Sequence, residues 1–119
     1  MPARSTELEQ SVHELTNLVG KFRFDEAFDK FYSPDIVSLE NEESPIVGLD
    51  AYREAGKKYL ASISNQSAKL LNVIVSDGIS VTEWRYTFDH KEWGHWDKIQ
   101  VSVQRWKDGK IIHERHYYN

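Results

Sequence analysis

The chain has 119 residues, of which 39% are hydrophobic, enough for one globular domain with a core of its own. Its formal charge is only -4 and its basic residues are scattered, which argues against a nucleic-acid footprint or an anionic-membrane patch. With no cysteine, disulfides and thiolate chemistry are excluded, and a reducing, cytoplasmic setting fits. No run approaches the roughly 20 apolar residues of a membrane span, and the opening Met1 to Glu7 has no apolar stretch of an export signal behind it.

Ser5 or Thr6 can cap a first helix, in which Leu8, Val12, Leu15, Leu18 and Val19 recur at helical spacing up to Gly20. Asp25 and Glu26 open a second, whose Ala27, Phe28, Phe31 and Tyr32 make an aromatic stripe stopped by Ser33-Pro34. Such a stripe packs a core by default. Asp35 to Glu40 alternates as a short strand, and the acidic, proline-containing Asn41 to Gly48 reads as a loop. Asp50 caps a third helix, about Ala51 to Ile63, with Tyr52, Ala55, Tyr59, Leu60 and Ile63 on its apolar face. Beyond it the period switches to two, over Ala68 to Ser76, Ile79 to Asp89 and His95 to Trp106, with turns at Asp77-Gly78 and near His90, Trp93 and Gly94.

The chain closes in a β-hairpin, because Asp108-Gly109 sits between two alternating runs and glycine accepts a positive φ without a Cβ clash. On its second arm strand alternation puts Ile112, Glu114, His116 and Tyr118 on one face. Three titratable groups in register mark the place to expect chemistry. The first arm's register stays open: a two-residue turn sets Ile99, Val101 and Val103 beside Glu114 and His116, whereas a three-residue turn with a bulge sets Gln100, Ser102 and Gln104 there.

Helices at the front and strands at the back give an α+β fold: three N-terminal helices packed on a strongly curved, mostly antiparallel sheet, a cone with a central pocket. The order of elements, the stretch Gly48-Leu49-Asp50-Ala51-Tyr52-Arg53-Glu54, and the ending Trp106-Lys107-Asp108-Gly109-Lys110-Ile111 with Arg115-His116-Tyr117-Tyr118-Asn119 resemble the nuclear transport factor 2-like superfamily, SnoaL-like branch. The resemblance covers nearly the whole chain and implies one SnoaL-like domain with a cofactor-free pocket, in a homodimer formed through the sheet. Relatives include ketosteroid isomerases, polyketide cyclases and limonene epoxide hydrolases, beside non-catalytic binding modules.

Carried over position by position, the acid/base aspartate of the final strand is here His116, and the isomerase general base is Glu40. The isomerase oxyanion tyrosine aligns with Thr16. Arg85 stands near the hydrolase arginine, with Thr87 in place of its aspartate and Asn119 in place of the terminal one. Family precedent turns Arg85 inward, where it would pair with Glu83 or Glu114, since an unpaired buried charge is very costly. Trp84, Tyr86 and Phe88 would then face outward as a dimer interface.

The expected function is cofactor-independent acid/base chemistry on a compact organic substrate: isomerisation, cyclisation, dehydration or hydration. His116 would be the proton shuttle, Glu40 or Glu114 its carboxylate partner, and Tyr118, Arg85, Thr16 and Glu83 the groups that hold ligand. The rival is a non-catalytic ligand-binding or dimerisation module. A pocket of roughly 300 Å³ or more is what either ligand reading requires. No metal is expected, because His113 and His116 lie on opposite faces and His95/Asp97 or His90/Glu92 lack a third ligand nearby.

Overall fold

The computed structural model describes residues 2–119, with side chains from Thr6 onward. Three helices precede or interrupt the sheet: α1 (Pro2–Gly20), α2 (Phe24–Phe31) and α3 (Leu49–Ser62). The strands are β1 (Tyr32–Glu40), β2 (Ile46–Val47), β3 (Ile63–Ser76), β4 (Ile79–His90), β5 (Gly94–Lys107) and β6 (Lys110–Tyr117). α1 begins upstream of Thr6, so that residue does not open it, and the Ser5 cap lies outside the described side chains. No described helix is long and apolar enough to cross a membrane.

The six strands form one sheet in the order β2-β1-β6-β5-β4-β3. β3 to β6 run as the expected antiparallel meander, whereas β1 joins β6 in parallel, Glu40 lying opposite His116. Short β2 pairs with β1 inside the segment expected to be loop. β3 starts at Ile63, directly after α3, ahead of the expected Ala68. Register shifts in β3, β6 and β1 bend the strands, and the sheet curls without closing.

Helices fill the concave side. Val12, Leu15 and Leu18 of α1 and the α2 stripe pack on Ile36, Trp106 and Ile111. α3 differs: none of its residues is fully buried, since its apolar face looks onto open space within the curl.

Strand β4 is turned the opposite way from expectation. Trp84, Tyr86 and Phe88 are inward and buried, so they are not an outer interface. Arg85 is on the outer face and forks onto Asp97 of β5, Nε–Oδ1 2.9 Å and Nη2–Oδ2 3.0 Å. Glu83 is likewise outside, accepting a hydrogen bond from Asn72. The physical reason is volume: a strongly curled sheet leaves a wide gap beneath its helices, and large rings fill that gap at far lower desolvation cost than a guanidinium.

Candidate functional site

The C-terminal hairpin decides which side chains meet. Asp108 and Gly109 both have positive φ (51° and 77°), a two-residue turn. Trp106 pairs with Ile111 and Arg105 with His113, so Ile112 is an extra residue bulged outward. Ile111 is therefore fully buried and Ile112 is exposed, which corrects the placement of Ile112 beside Glu114. Past the bulge Gln104 faces Glu114 and Ser102 faces His116, so the polar register is realised by a two-residue turn followed by a bulge.

These strands and helices enclose a cavity of about 610 Å³. Its aromatic walls are Trp84, Tyr86, Phe88 and Trp96 from the sheet with Phe28 and Tyr59 from the helices. Glu114 and His116 of β6 and Tyr118 just past its end line it, as do Glu40 and Thr16. Arg85 and Glu83 do not.

Glu114 is the buried centre of a network. Tyr32 donates to both of its oxygens at 2.8 and 2.9 Å, Tyr52 to Oε1 at 2.6 Å, and Gln104 to Oε2 at 2.8 Å. Gln104 is itself held by Ser80, whose hydroxyl accepts from the Trp106 indole. His116 Nε2 lies 2.9 Å from the Tyr52 oxygen and 3.4 Å from Glu114 Oε1. Because the Tyr52 proton points at Glu114, its oxygen accepts from the ring, and Nε2 carries a hydrogen. Nδ1 meets Ser102 Oγ at 2.7 Å and Gln100 Nε2 at 3.3 Å.

Burial works against charge on both members of the pair, pushing Glu114 up and His116 down. Mutual attraction overrides it. The His116 charge and the hydrogen bonds from His116, Tyr52 and Gln104 hold the Glu114 carboxyl well below the usual range. The Glu114 charge, helped by Glu40, raises His116. Burial first, then the Glu114 charge, keeps Tyr32 and Tyr52 protonated and hence donors.

The remaining candidates sit apart. Glu40 is exposed where the cavity opens and accepts a 3.2 Å hydrogen bond from Tyr118. Asn41, at φ 52°, continues the pairing by donating to the His116 carbonyl and accepting from the Tyr118 amide, which anchors the chain end over the opening. Thr16 lines the wall, but its hydroxyl donates to the His13 carbonyl of its own helix. Tyr32, Tyr52 and Gln104 were missed as site residues. The tyrosines lie within helix-spaced aromatic stripes that read as core, and their hydroxyls gain meaning only from Glu114. Gln104 was visible as one of the two hairpin registers. No group of three or more metal-ligating side chains lies together among the described residues.

No curated protein matches the chain. Among solved structures, one from Mesorhizobium loti named as a SnoaL-like polyketide cyclase has a TM-score of 0.81 at 21% identity, covering 93% of this chain and 98% of its own. An epoxide hydrolase from M. tuberculosis gives 0.78 at 18%, over 98% and 85% of the two chains. An NTF2-like protein of unknown function from Burkholderia pseudomallei gives 0.79 at 13%, over 93% and 89%. These likenesses show the fold. A family model, the SnoaL-like domain, matches residues 12–114, and the chain belongs to that family.

Proposed function

We propose that the protein is a cofactor-independent acid/base catalyst acting on an organic substrate held against the aromatic walls. The observation that carries this reading is His116, bridged through Tyr52 to a buried Glu114 inside a cavity of about 610 Å³. Glu114 accepts hydrogen bonds on both oxygens, so it orients His116 and favours its charge. Glu40, held at the opening by the Tyr118 hydroxyl and by no other side chain among the described residues, would be the base. Gln100, at 3.3 Å, is the longer of the two contacts at Nδ1. A substrate oxygen replacing it receives a hydrogen bond from the protonated ring as negative charge develops there. Isomerisation, cyclisation and dehydration all need that pairing of acid and base. The epoxide-hydrolase relative argues for nothing closer, because Arg85 lies outside the cavity and Thr87 stands where the hydrolase pattern has its aspartate.

A specific observation favours the binding-module rival: both ring nitrogens of His116 already have protein partners, as in a network that only shapes a cavity. Turnover separates the two. Candidate substrates of the isomerase, cyclase and dehydratase types are offered to wild type and to His116→Asn, with Glu40→Gln alongside. The catalytic reading expects a loss of about 100-fold or more in kcat for His116→Asn, with binding nearly kept. Unchanged turnover in that variant replaces it with the binding module. The proposal also includes a cytoplasmic location and a homodimer. Its interface would use the outer sheet face, where Val81, Val103, Val101 and Tyr117 adjoin across β4, β5 and β6 and Arg115 Nε is buried without a hydrogen-bond partner among the described residues.

A further inference from the structure

His90 ends strand β4 on the same inward face as Trp84, Tyr86 and Phe88, and it is 91% shielded, its exposure being 9%. Its Nδ1 accepts two backbone hydrogen bonds from the following turn, from the amides of Glu92 at 3.0 Å and Trp93 at 3.2 Å. In the neutral ring the proton therefore sits on Nε2. The ring lies flat against Trp93, with centroids 3.7 Å apart and planes 5° from parallel. Nε2 has no hydrogen-bond partner among the described residues, and His90 lines the cavity. A donor fixed in orientation by its turn and by the Trp93 stack, and accepted by no described side chain, is free to donate to a ligand in the cavity it lines.

From these observations we infer that His90 is a second ligand-binding group, whose Nε2–H donates to a neutral oxygen acceptor, a carbonyl or ether, at the outer end of a flat, elongated ligand. The inference rests on the small-molecule pocket reading and names its ligand class. Flatness follows from the walls: Trp93, Trp96 and Phe88, packed on one another at 5.4 to 6.4 Å, present aromatic faces at this end on which a flat ligand can stack. Neutrality follows from charge, because Glu40, Glu43 and Glu92 outnumber Lys58 on the lining and repel an anion. Length follows from register. His90 pairs with Gly94 on β5 and His116 with Ser102, roughly 25 Å of strand contour apart before the curl shortens it.

The test uses two probes of one shape, 2-acetylnaphthalene with an acceptor and 2-ethylnaphthalene without, followed by quenching of tryptophan fluorescence. Wild type is expected to bind the acetyl probe about 3- to 10-fold more tightly, the effect of one hydrogen bond. His90→Asn, whose Oδ1 can still accept from the turn amides, loses that preference, and Arg85→Gln, on the outer sheet face away from the cavity, keeps it. Long-range 15N–1H spectra of wild type should show the neutral His90 ring protonated at Nε2, with that nitrogen shifting for the acetyl probe alone. This second measurement decides the matter if His90→Asn does not fold. A ring protonated at Nδ1, a preference that survives in His90→Asn, or no saturable binding of the acetyl probe overturns the inference. Loss of preference in His116→Asn only moves the acceptor site to His116 and leaves the pocket reading standing. Loss in His90→Asn together with full turnover in His116→Asn keeps His90 as ligand group and removes the catalytic role.

Discussion

Donors occupy both oxygens of Glu114: two tyrosines and an amide hydrogen-bond them, and the His116 imidazole lies 3.4 Å away. That saturation makes a buried carboxylate tolerable, and it makes folding pH-dependent with a definite sign. The His116 pKa is raised in the fold, so its contribution is complete below the unfolded value of about 6.5 and is lost as pH rises through the higher folded value. The Glu114 pKa is lowered, so its contribution is complete above the unfolded value of about 4.5 and is lost as pH falls through the lower folded one. Stability from the pair should therefore peak between those two values. Urea unfolding from pH 3 to 9 measures it. Glu114→Gln should flatten the profile and lose about 1–3 kcal/mol near pH 6, because the charge it removes was paired and its donors were oriented for it. An unchanged pH profile in the variant would show that the ion pair does not form in solution. Both residues were legible from strand alternation, whereas Tyr32 and Tyr52 arrive from helix–strand contacts that no local period encodes.

At the scale of elements, one inserted residue in β6 reverses the face of everything before it. A regular strand would bury Ile112, and the bulge buries Ile111 instead. Ile111→Ala is accordingly expected to cost about 2–4 kcal/mol, against less than about 1 for Ile112→Ala. Chemical denaturation of the two variants checks this, and the opposite ranking would restore the unbroken alternation. α3 depends on the same curl. Its half-buried stripe of Tyr52, Ala55 and Tyr59 lines a cavity that the sheet's bend creates, so a pattern that reads as core is a wall.

For the molecule as a whole, the open question is what covers the outer sheet face now that Trp84, Tyr86 and Phe88 fill the inner one. Val81, Val101, Val103, Ile99 and Tyr117 share that outer face, and Ile99 and Tyr117 are 44% and 43% exposed. The proposed dimer predicts a two-chain species in sedimentation at micromolar concentration and a shift to monomer in Val103→Glu, since a desolvated carboxylate opposes the contact. A wild-type monomer under those conditions would remove the dimer.

The sequence by itself determined the kinds and order of the elements other than the short β2, the Asp108-Gly109 turn, and the meeting of Glu114 and His116, because each rests on a period or a turn residue acting over a few neighbours. Only tertiary structure decided which face of β4 is inside, that β1 lies parallel to β6, and that Tyr52 closes the link between Glu114 and His116. Alternation tells two faces apart without saying which is wet. That choice is made by how far the sheet curls and by the volume left beneath three helices, and there large rings displaced the arginine to the surface.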